Sequence, residues 1–115
     1  MRLLTPPKDR REHRRLRAQL PGRYMLADRR EYPCTIVDIS MGGLALTGPR
    51  VGVTGEPVVI YADELGRMLG EIVRLFDGGF AVELNLAGIA GQRFAHRLVE
   101  LEAPKSFGKR LRFWR

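Results

Sequence analysis

Alternation of apolar and polar residues is strongest in the segment YPCTIVDIS, residues 32–40. The alternation puts Cys34, Ile36 and Asp38 on one face. Thr35, Val37 and Ile39 lie on the other face. A period of two is that of a β-strand, whose successive side chains point to opposite faces. The segment therefore predicts a strand with one buried face.

Further strands are predicted on both sides of this segment. Residues 16–25 are weakly patterned and interrupted by Pro-Gly, whereas GGLALTG at 42–48 predicts a short strand. Residues 56–85 predict three strands separated by DELGR and DGG, which are favourable hairpin turns. Six short strands with Gly-rich turns indicate a small antiparallel barrel or sandwich.

The pattern changes to a helical one after the last predicted strand. Phe94, Leu98 and Leu101 are spaced four and three residues apart, which is typical of one helix face, and Pro104 would end the helix. The predicted organisation has four parts: a flexible basic segment at 1–15, a β-barrel at 16–86, a helix at 87–103 and a basic aromatic tail at 104–115.

Composition places the chain among ordinary globular proteins. It has 115 residues, 44% hydrophobic and 29% charged, which suits one domain. Its one cysteine, Cys34, excludes an intrachain disulfide and a cysteine-based zinc site. No apolar run is long enough for a membrane span, and the N-terminal residues lack the apolar stretch of a secretion signal. We therefore expect a cytoplasmic protein.

Charge is distributed unevenly along the chain. Residues 1–30 hold ten Lys and Arg against three Asp and Glu, residues 31–92 hold three against eight, and residues 93–115 hold seven against two. The net charges are +7, −5 and +5, so a mildly acidic body carries two basic ends. A polyanionic partner for one or both ends is the natural inference, although solvated arms that only aid solubility have the same composition.

The N-terminal charge is concentrated in KDRREHRRLR, residues 8–17. Its five arginines repel one another, and no residue in the stretch TPPKDRREHRR, residues 5–15, supplies an apolar anchor, so we expect a mobile segment in the absence of a ligand. An anion that neutralised the cluster would order it against the barrel.

A second unusual stretch is DISMGG, residues 38–43. Asp38 and Ser40 are two apart in a strand, so their side chains project on the same face. Gly42 and Gly43 follow and allow a close approach of the backbone to another group. The same residues also fit an ordinary turn, in which the side-chain oxygens accept hydrogen bonds from backbone amides.

Together, the two stretches resemble the signature of the PilZ domain family, the bacterial receptors for cyclic di-GMP. Arg11-Glu-His-Arg-Arg15 matches the family's Arg-x-x-x-Arg motif, and Asp38-Ile-Ser40-Met-Gly-Gly43 matches its Asp/Asn-x-Ser-x-x-Gly motif. The register from Arg10 to Arg14 is an alternative for the first motif. The resemblance spans about residues 8–101 and implies a six-stranded PilZ-like antiparallel β-barrel with a C-terminal helix.

The resemblance also implies a ligand site, and the chemistry of the residues fits it. The expected ligand-binding residues are Arg10, Arg11, Arg15, Asp38, Ser40 and Gly43, with Arg14 and Gly42 as additional candidates. Guanidinium groups bind phosphate oxygens through paired charge-assisted hydrogen bonds, and they match the O6 and N7 acceptors of guanine. A carboxylate accepts from the N1 and N2 hydrogens of guanine. The extra arginine makes two ligands per site as plausible as one.

These residues predict a receptor that changes conformation on binding cyclic di-GMP and regulates a protein effector of motility, biofilm formation or a related output. No cofactor, no metal site and no enzymatic activity are expected, because no catalytic constellation is evident. The alternatives are a nucleic-acid-binding β-barrel module, which the acidic body disfavours, and a ligand-independent PilZ-type adaptor. The tail fits either an acidic or membrane-surface contact or packing against the barrel.

Overall fold

A computed structural model describes residues 15–102 of the chain. Within this range six β-strands and one α-helix follow one another in the order β1 Leu16–Met25, β2 Glu31–Ser40, β3 Gly43–Thr47, β4 Pro57–Ala62, β5 Gly66–Phe76, β6 Gly79–Leu84 and α1 Gly88–Glu102. The predicted mostly-β class, with a single helix after the strands, is confirmed.

The strands form a closed barrel in the order β1-β2-β3-β6-β5-β4, and every neighbouring pair is antiparallel. The barrel is closed by β1 and β4, which pair through Arg23–Met25 and Val59–Tyr61. The sequence pattern left a barrel and a sandwich open, and the structure is the barrel. Although residues 16–25 are weakly patterned, they form a full strand that pairs on both sides.

The barrel interior is a packed apolar core. Tyr24 and Phe80 are almost fully buried and meet edge to face, with ring centroids 5.5 Å apart. The Tyr24 hydroxyl donates to the Arg50 carbonyl at 2.5 Å and accepts from the Arg50 N–H at 2.9 Å, which ties the β3–β4 connection to the core. Phe94 and Leu98 of α1 are buried against the same core, so the predicted helix face packs on the barrel.

A β-bulge in β2 changes the alternation predicted from the sequence. Ile36 pairs with Leu46, whereas Asp38 pairs with the adjacent Ala45, so β2 holds one extra residue at this point. The alternation slips by one, and Ile39 instead of Asp38 continues the buried series. The prediction that Asp38 shares a face with Cys34 and Ile36 is therefore wrong. The carboxylate points outward at the end of the barrel wall.

Within residues 15–102, α1 is the one helix, and it is neither long nor apolar enough to cross a membrane.

Candidate functional site

A groove of about 420 Å³ lies where β2 and β3 meet, and it contains every described residue of the predicted ligand set. Arg15 forms one rim just before β1, and Asp38 and Ser40 come from the last residues of β2. Gly42 and Gly43 close the same end from the β2–β3 turn. Two motifs that are 23 residues apart in sequence thus share one surface. Arg10, Arg11 and Arg14 lie outside the described residues.

The two motifs are joined by an ion pair between Arg15 and Asp38. Arg15 donates from Nε and from Nη2 to Asp38 Oδ2, at 3.0 and 2.7 Å respectively. The side chains are 59% and 24% exposed, so the pair lies at the surface of the groove. Such a pair contributes little to stability by itself, because solvent screens it. Its value is geometric, since it fixes a guanidinium and a carboxylate side by side.

The other oxygen of the same carboxylate has no partner among residues 15–102. Asp38 Oδ1 is buried from solvent and accepts no hydrogen bond from the described residues. A buried polar atom without a partner costs free energy, and buried acceptors in folded proteins are almost always satisfied. Asp38 therefore has one oxygen engaged by Arg15 and one buried oxygen that the described residues leave unsatisfied, and its side chain lines a groove of about 420 Å³.

Ser40 stabilises the turn that follows it. Its hydroxyl accepts a hydrogen bond from the Gly42 N–H at 3.1 Å and donates to the Gly43 carbonyl at 3.5 Å. The residue is only 8% exposed. The sequence allowed either a ligand site or an ordinary turn at this stretch. The Ser40 hydroxyl makes the hydrogen bonds of such a turn. One lone pair of the hydroxyl remains for a ligand, whereas its single proton is already used.

Gly43 is required by the neighbouring strand. It pairs with Glu83 of β6, and a Cβ built on it would stand 2.0 Å from the Val82 carbonyl oxygen. Any side chain there would push β3 and β6 apart. We expected the missing side chain to leave room for a ligand, and that remains a prediction. The structure supplies a separate reason for the glycine, which is strand packing.

The far wall of the groove comes from β5 and β6 and was not predicted from the sequence. A bulge follows Ile72, which pairs with Val82, while Arg74 pairs with the adjacent Ala81. Val73 and Arg74 are consequently both exposed, and both line the groove. The Arg74 guanidinium carbon lies 5.8 Å from the centroid of the Phe76 ring, a cation–π contact that holds it at the wall.

The charges of the described groove nearly cancel. Arg15 and Arg74 face two carboxylates, Asp38 and Glu83, around the same cavity. A dianion would gain little from such a balanced set. Net attraction needs further cations, and the sequence carries three more arginines directly before Arg15.

Cys34 and His96 take no part in the groove. Burial raises the pKa of the Cys34 thiol to about 11, so the thiol is neutral at physiological pH and packs as a small apolar group. His96 is exposed on α1, with its Nε2 3.7 Å from the Glu100 carboxylate.

Comparisons with known proteins identify the family and the fold. A model of the PilZ domain family matches residues 9–100. Among solved structures, the chain is similar to the crystal structure of the PilZ domain of CeSA from a cellulose-synthesizing bacterium. The TM-score is 0.58 at 22% identity, and the match covers 76% of this chain and 93% of that chain, a likeness that shows the fold. A search of curated proteins finds no match.

Proposed function

The chain belongs to the PilZ domain family, and we propose on this premise that it is a receptor for cyclic di-GMP. PilZ domains generally bind this second messenger, and the family match at residues 9–100 includes both motifs of the signature. Binding would place the ligand in the groove beside Arg15 and Asp38. The proposed output is a changed contact with a protein effector that controls motility, biofilm formation or a related process in the bacterial cytoplasm.

The free oxygen of Asp38 is the observation that carries this proposal. Guanine offers two adjacent donors, N1–H and the N2 amino group, and a carboxylate is their natural acceptor. Oδ1 is buried and has no partner among the described residues, while Oδ2 is held by Arg15. A guanine edge at the groove would satisfy Oδ1 and remove the cost of leaving it unpaired. Adenine has no N1–H and no N2 amino group, so the same site discriminates against it.

The phosphates of the ligand would be bound by arginines. Cyclic di-GMP carries two negative charges, and the near-neutral described groove cannot supply the attraction alone. Arg10, Arg11 and Arg14 would add it, with Arg15 turned partly toward the ligand. Drawing these residues onto the barrel is the conformational change that we propose as the signal. It requires neither a cofactor nor catalysis.

A nucleic-acid-binding role fits the described surface less well. Proteins that bind single strands stack bases on exposed aromatic side chains. Within residues 15–102, Tyr61 is the one strongly exposed aromatic residue, and no row of stacking rings is formed. The arginines would then contact phosphates, and residues 15–102 offer no row of rings beside them to hold bases.

Calorimetric titration with cyclic di-GMP at physiological salt tests the proposal, with cyclic di-AMP and a short oligonucleotide as controls. We expect saturable binding of cyclic di-GMP alone, and the stoichiometry gives one or two ligands per site. Heat with the oligonucleotide alone would replace the receptor by the nucleic-acid module. Absence of heat with all three would leave a ligand-independent adaptor.

Hydrogen exchange tests the proposed conformational change separately. Amides before Leu16 should gain protection when cyclic di-GMP is added. Full protection in the free protein would contradict the change while leaving ligand binding intact.

A further inference from the structure

A second cleft, also of about 420 Å³, lies between the start of β5, the β6–α1 connection and α1. Three arginines line it, Arg67 from β5 and Arg93 and Arg97 from α1. We call it the Arg cleft. Arg93 and Arg97 are four residues apart and share one helix face. No residue of the PilZ signature lines this cleft, so the ligand groove does not account for it.

The three guanidiniums have no carboxylate partner among residues 15–102. The ion pairs of this part of the chain join other arginines and His96 to acidic groups, and none of them includes Arg67, Arg93 or Arg97. Arg97 is half-buried, and its Nη1 lies 2.6 Å from the point where a Cβ on Gly66 would stand. The guanidinium is thus laid over the β4–β5 turn, against Gly66. Three like charges at one concavity repel one another, and an anion would relieve that repulsion.

The lining between the arginines is apolar. Leu69, 43% exposed, faces the cleft from β5, and Leu86, Ala87 and Ala90 line it from the connection and the helix. Arginine is enriched at protein–protein interfaces, and here the exposed aliphatic groups add apolar contact area beside the three charges. A small inorganic anion would bind the three guanidiniums and leave these apolar groups exposed to water. A segment with carboxylates and aliphatic side chains would use both.

We propose that the Arg cleft is the docking surface for an acidic segment of the effector protein, with carboxylates on the three arginines and aliphatic side chains against Leu69 and Ala90. This inference rests on the proposed function, because the Arg cleft would be the surface at which the effector responds to bound cyclic di-GMP. Bidentate hydrogen bonds between guanidinium and carboxylate would fix the register of the segment.

The position of the cleft suits that role. Glu83 of β6 lines the ligand groove and Asn85 lines the Arg cleft, so the two sites are two residues apart along the chain, about 7 Å in an extended strand. The Asn85 N–H donates to the Leu69 carbonyl at 2.8 Å, which ties the walls of the cleft together. An effector seated in the cleft would therefore lie beside the segment that the ligand recruits.

Titration of the full chain with a labelled peptide of repeated Glu-Glu-Leu units tests the proposal, and a peptide of Gln-Gln-Leu units is the uncharged control. Each titration is followed by fluorescence anisotropy and by amide chemical shifts, without and with saturating cyclic di-GMP, so that the N-terminal arginines are occupied in one arm. The variants are Arg67→Glu and Arg93→Glu. The matched control is Arg30→Glu, which makes the same charge change away from the cleft. Arg30 is exposed and lies in the β1–β2 turn.

We expect saturable binding of the acidic peptide with shifts confined to residues 65–69 and 85–97. Each cleft variant should bind about tenfold more weakly, since reversal turns an attraction into a repulsion, whereas Arg30→Glu should stay within about twofold. Cyclic di-GMP affinity of the cleft variants should be unchanged, and its separate titration distinguishes failure of the receptor proposal from failure of this one.

Four results would overturn the docking proposal. The first is that the acidic peptide shows no saturable binding, and the second is that Arg30→Glu weakens peptide binding as much as the cleft variants do. The third is that the peptide shifts amide signals around Asp38 when the protein is saturated with cyclic di-GMP. The fourth is that the protein binds phosphatidylglycerol vesicles but not the peptide, and that Arg67→Glu abolishes the vesicle binding. The last result would assign the cleft to an anionic membrane surface. A variant that lost its native amide spectrum would be replaced by Arg67→Gln, which removes the charge without reversing it.

Discussion

Arg15 contacts a single oxygen of Asp38 through two nitrogens, Nε at 3.0 Å and Nη2 at 2.7 Å, and Oδ1 of the same carboxylate is buried without a partner in the described part of the chain. A paired guanidinium and carboxylate normally use both oxygens in parallel bonds. The arrangement on one oxygen leaves the second acceptor unused by Arg15. Under the proposed function, guanine recognition would use Oδ1 and ion pairing uses Oδ2.

Arg15→Ala should reduce cyclic di-GMP affinity at least about tenfold, because a charge-assisted hydrogen bond to phosphate and the positioning of Asp38 are both lost. Stability should change by no more than about 1 kcal/mol, since the pair is exposed. Calorimetry and chemical denaturation measure the two effects. Arg23→Ala is the matched control, because Arg23 forms a similar exposed pair with Glu31 at 3.1 Å away from the groove. Equal affinity in the two variants would mean that Arg15 is not a ligand residue.

Asp38→Ala should weaken the preference for cyclic di-GMP over cyclic di-AMP more than it weakens attraction to phosphate. The carboxylate accepts from guanine donors that adenine lacks, and each good base contact discriminates by about 1–3 kcal/mol. Competition between the two nucleotides measures the ratio. Glu83→Ala is the control, because it removes a carboxylate from the same groove and should raise affinity for both nucleotides alike. A ratio that is unchanged in Asp38→Ala would place guanine recognition elsewhere.

Local sequence signals predicted the elements of the fold well. The turns DELGR and DGG separate β4, β5 and β6, and the apolar spacing of Phe94 and Leu98 marks the buried face of α1. These signals are short-range, since each depends on residues within one or two turns of the element itself. The family resemblance then supplied what local pattern could not, namely closure of the six strands into a barrel.

The site was predicted less completely, because its walls depend on bulges. An extra residue in β2 turns Asp38 outward, and another in β5 exposes Val73 and Arg74 together. A bulge depends on the partner strand, so the alternation of one strand does not reveal it. Arg74 could have been noticed only as a charged residue where the run Ile-Val-Arg-Leu-Phe breaks its period of two.

Arg74→Ala should weaken cyclic di-GMP binding by about three- to tenfold, less than Arg15→Ala. Arg74 lines the far wall of the groove and is steadied by Phe76, but it lies outside the signature, so we expect it to assist binding by charge and stacking. Titration at low and high salt measures the loss, which should be smaller at high salt. Arg50→Ala, which removes an arginine 3.8 Å from Asp28, is the control and should bind like the parent. Parent-like affinity in Arg74→Ala would restrict the site to the two motifs.

Gly43→Ala should lower the free energy of unfolding by about 1–3 kcal/mol, because its Cβ would stand 2.0 Å from the Val82 carbonyl oxygen. Gly78→Ala is the control, since nothing lies within 4 Å of its Cβ and only its positive φ of 85° is strained. Chemical denaturation compares the two variants. A Gly43→Ala protein with parent stability and lost ligand binding would show that the glycine serves the ligand and not the sheet.

Cys34 should make stability fall as the pH rises above 9. Burial raises the pKa of its thiol from an ordinary 9.0 to about 11, so between these values the unfolded chain ionises while the folded thiol stays neutral. The unfolded state is then favoured by loss of the proton, and the contribution present below pH 9 is lost as the pH approaches 11, on the order of 2 kcal/mol. Other groups titrate in the same range, so we compare the parent with Cys34→Ala at each pH. The difference in free energy of unfolding should be constant below about pH 8 and should shrink steadily above pH 9. Parallel curves up to pH 11 would mean that the buried thiol ionises as easily in the folded protein as in the unfolded chain.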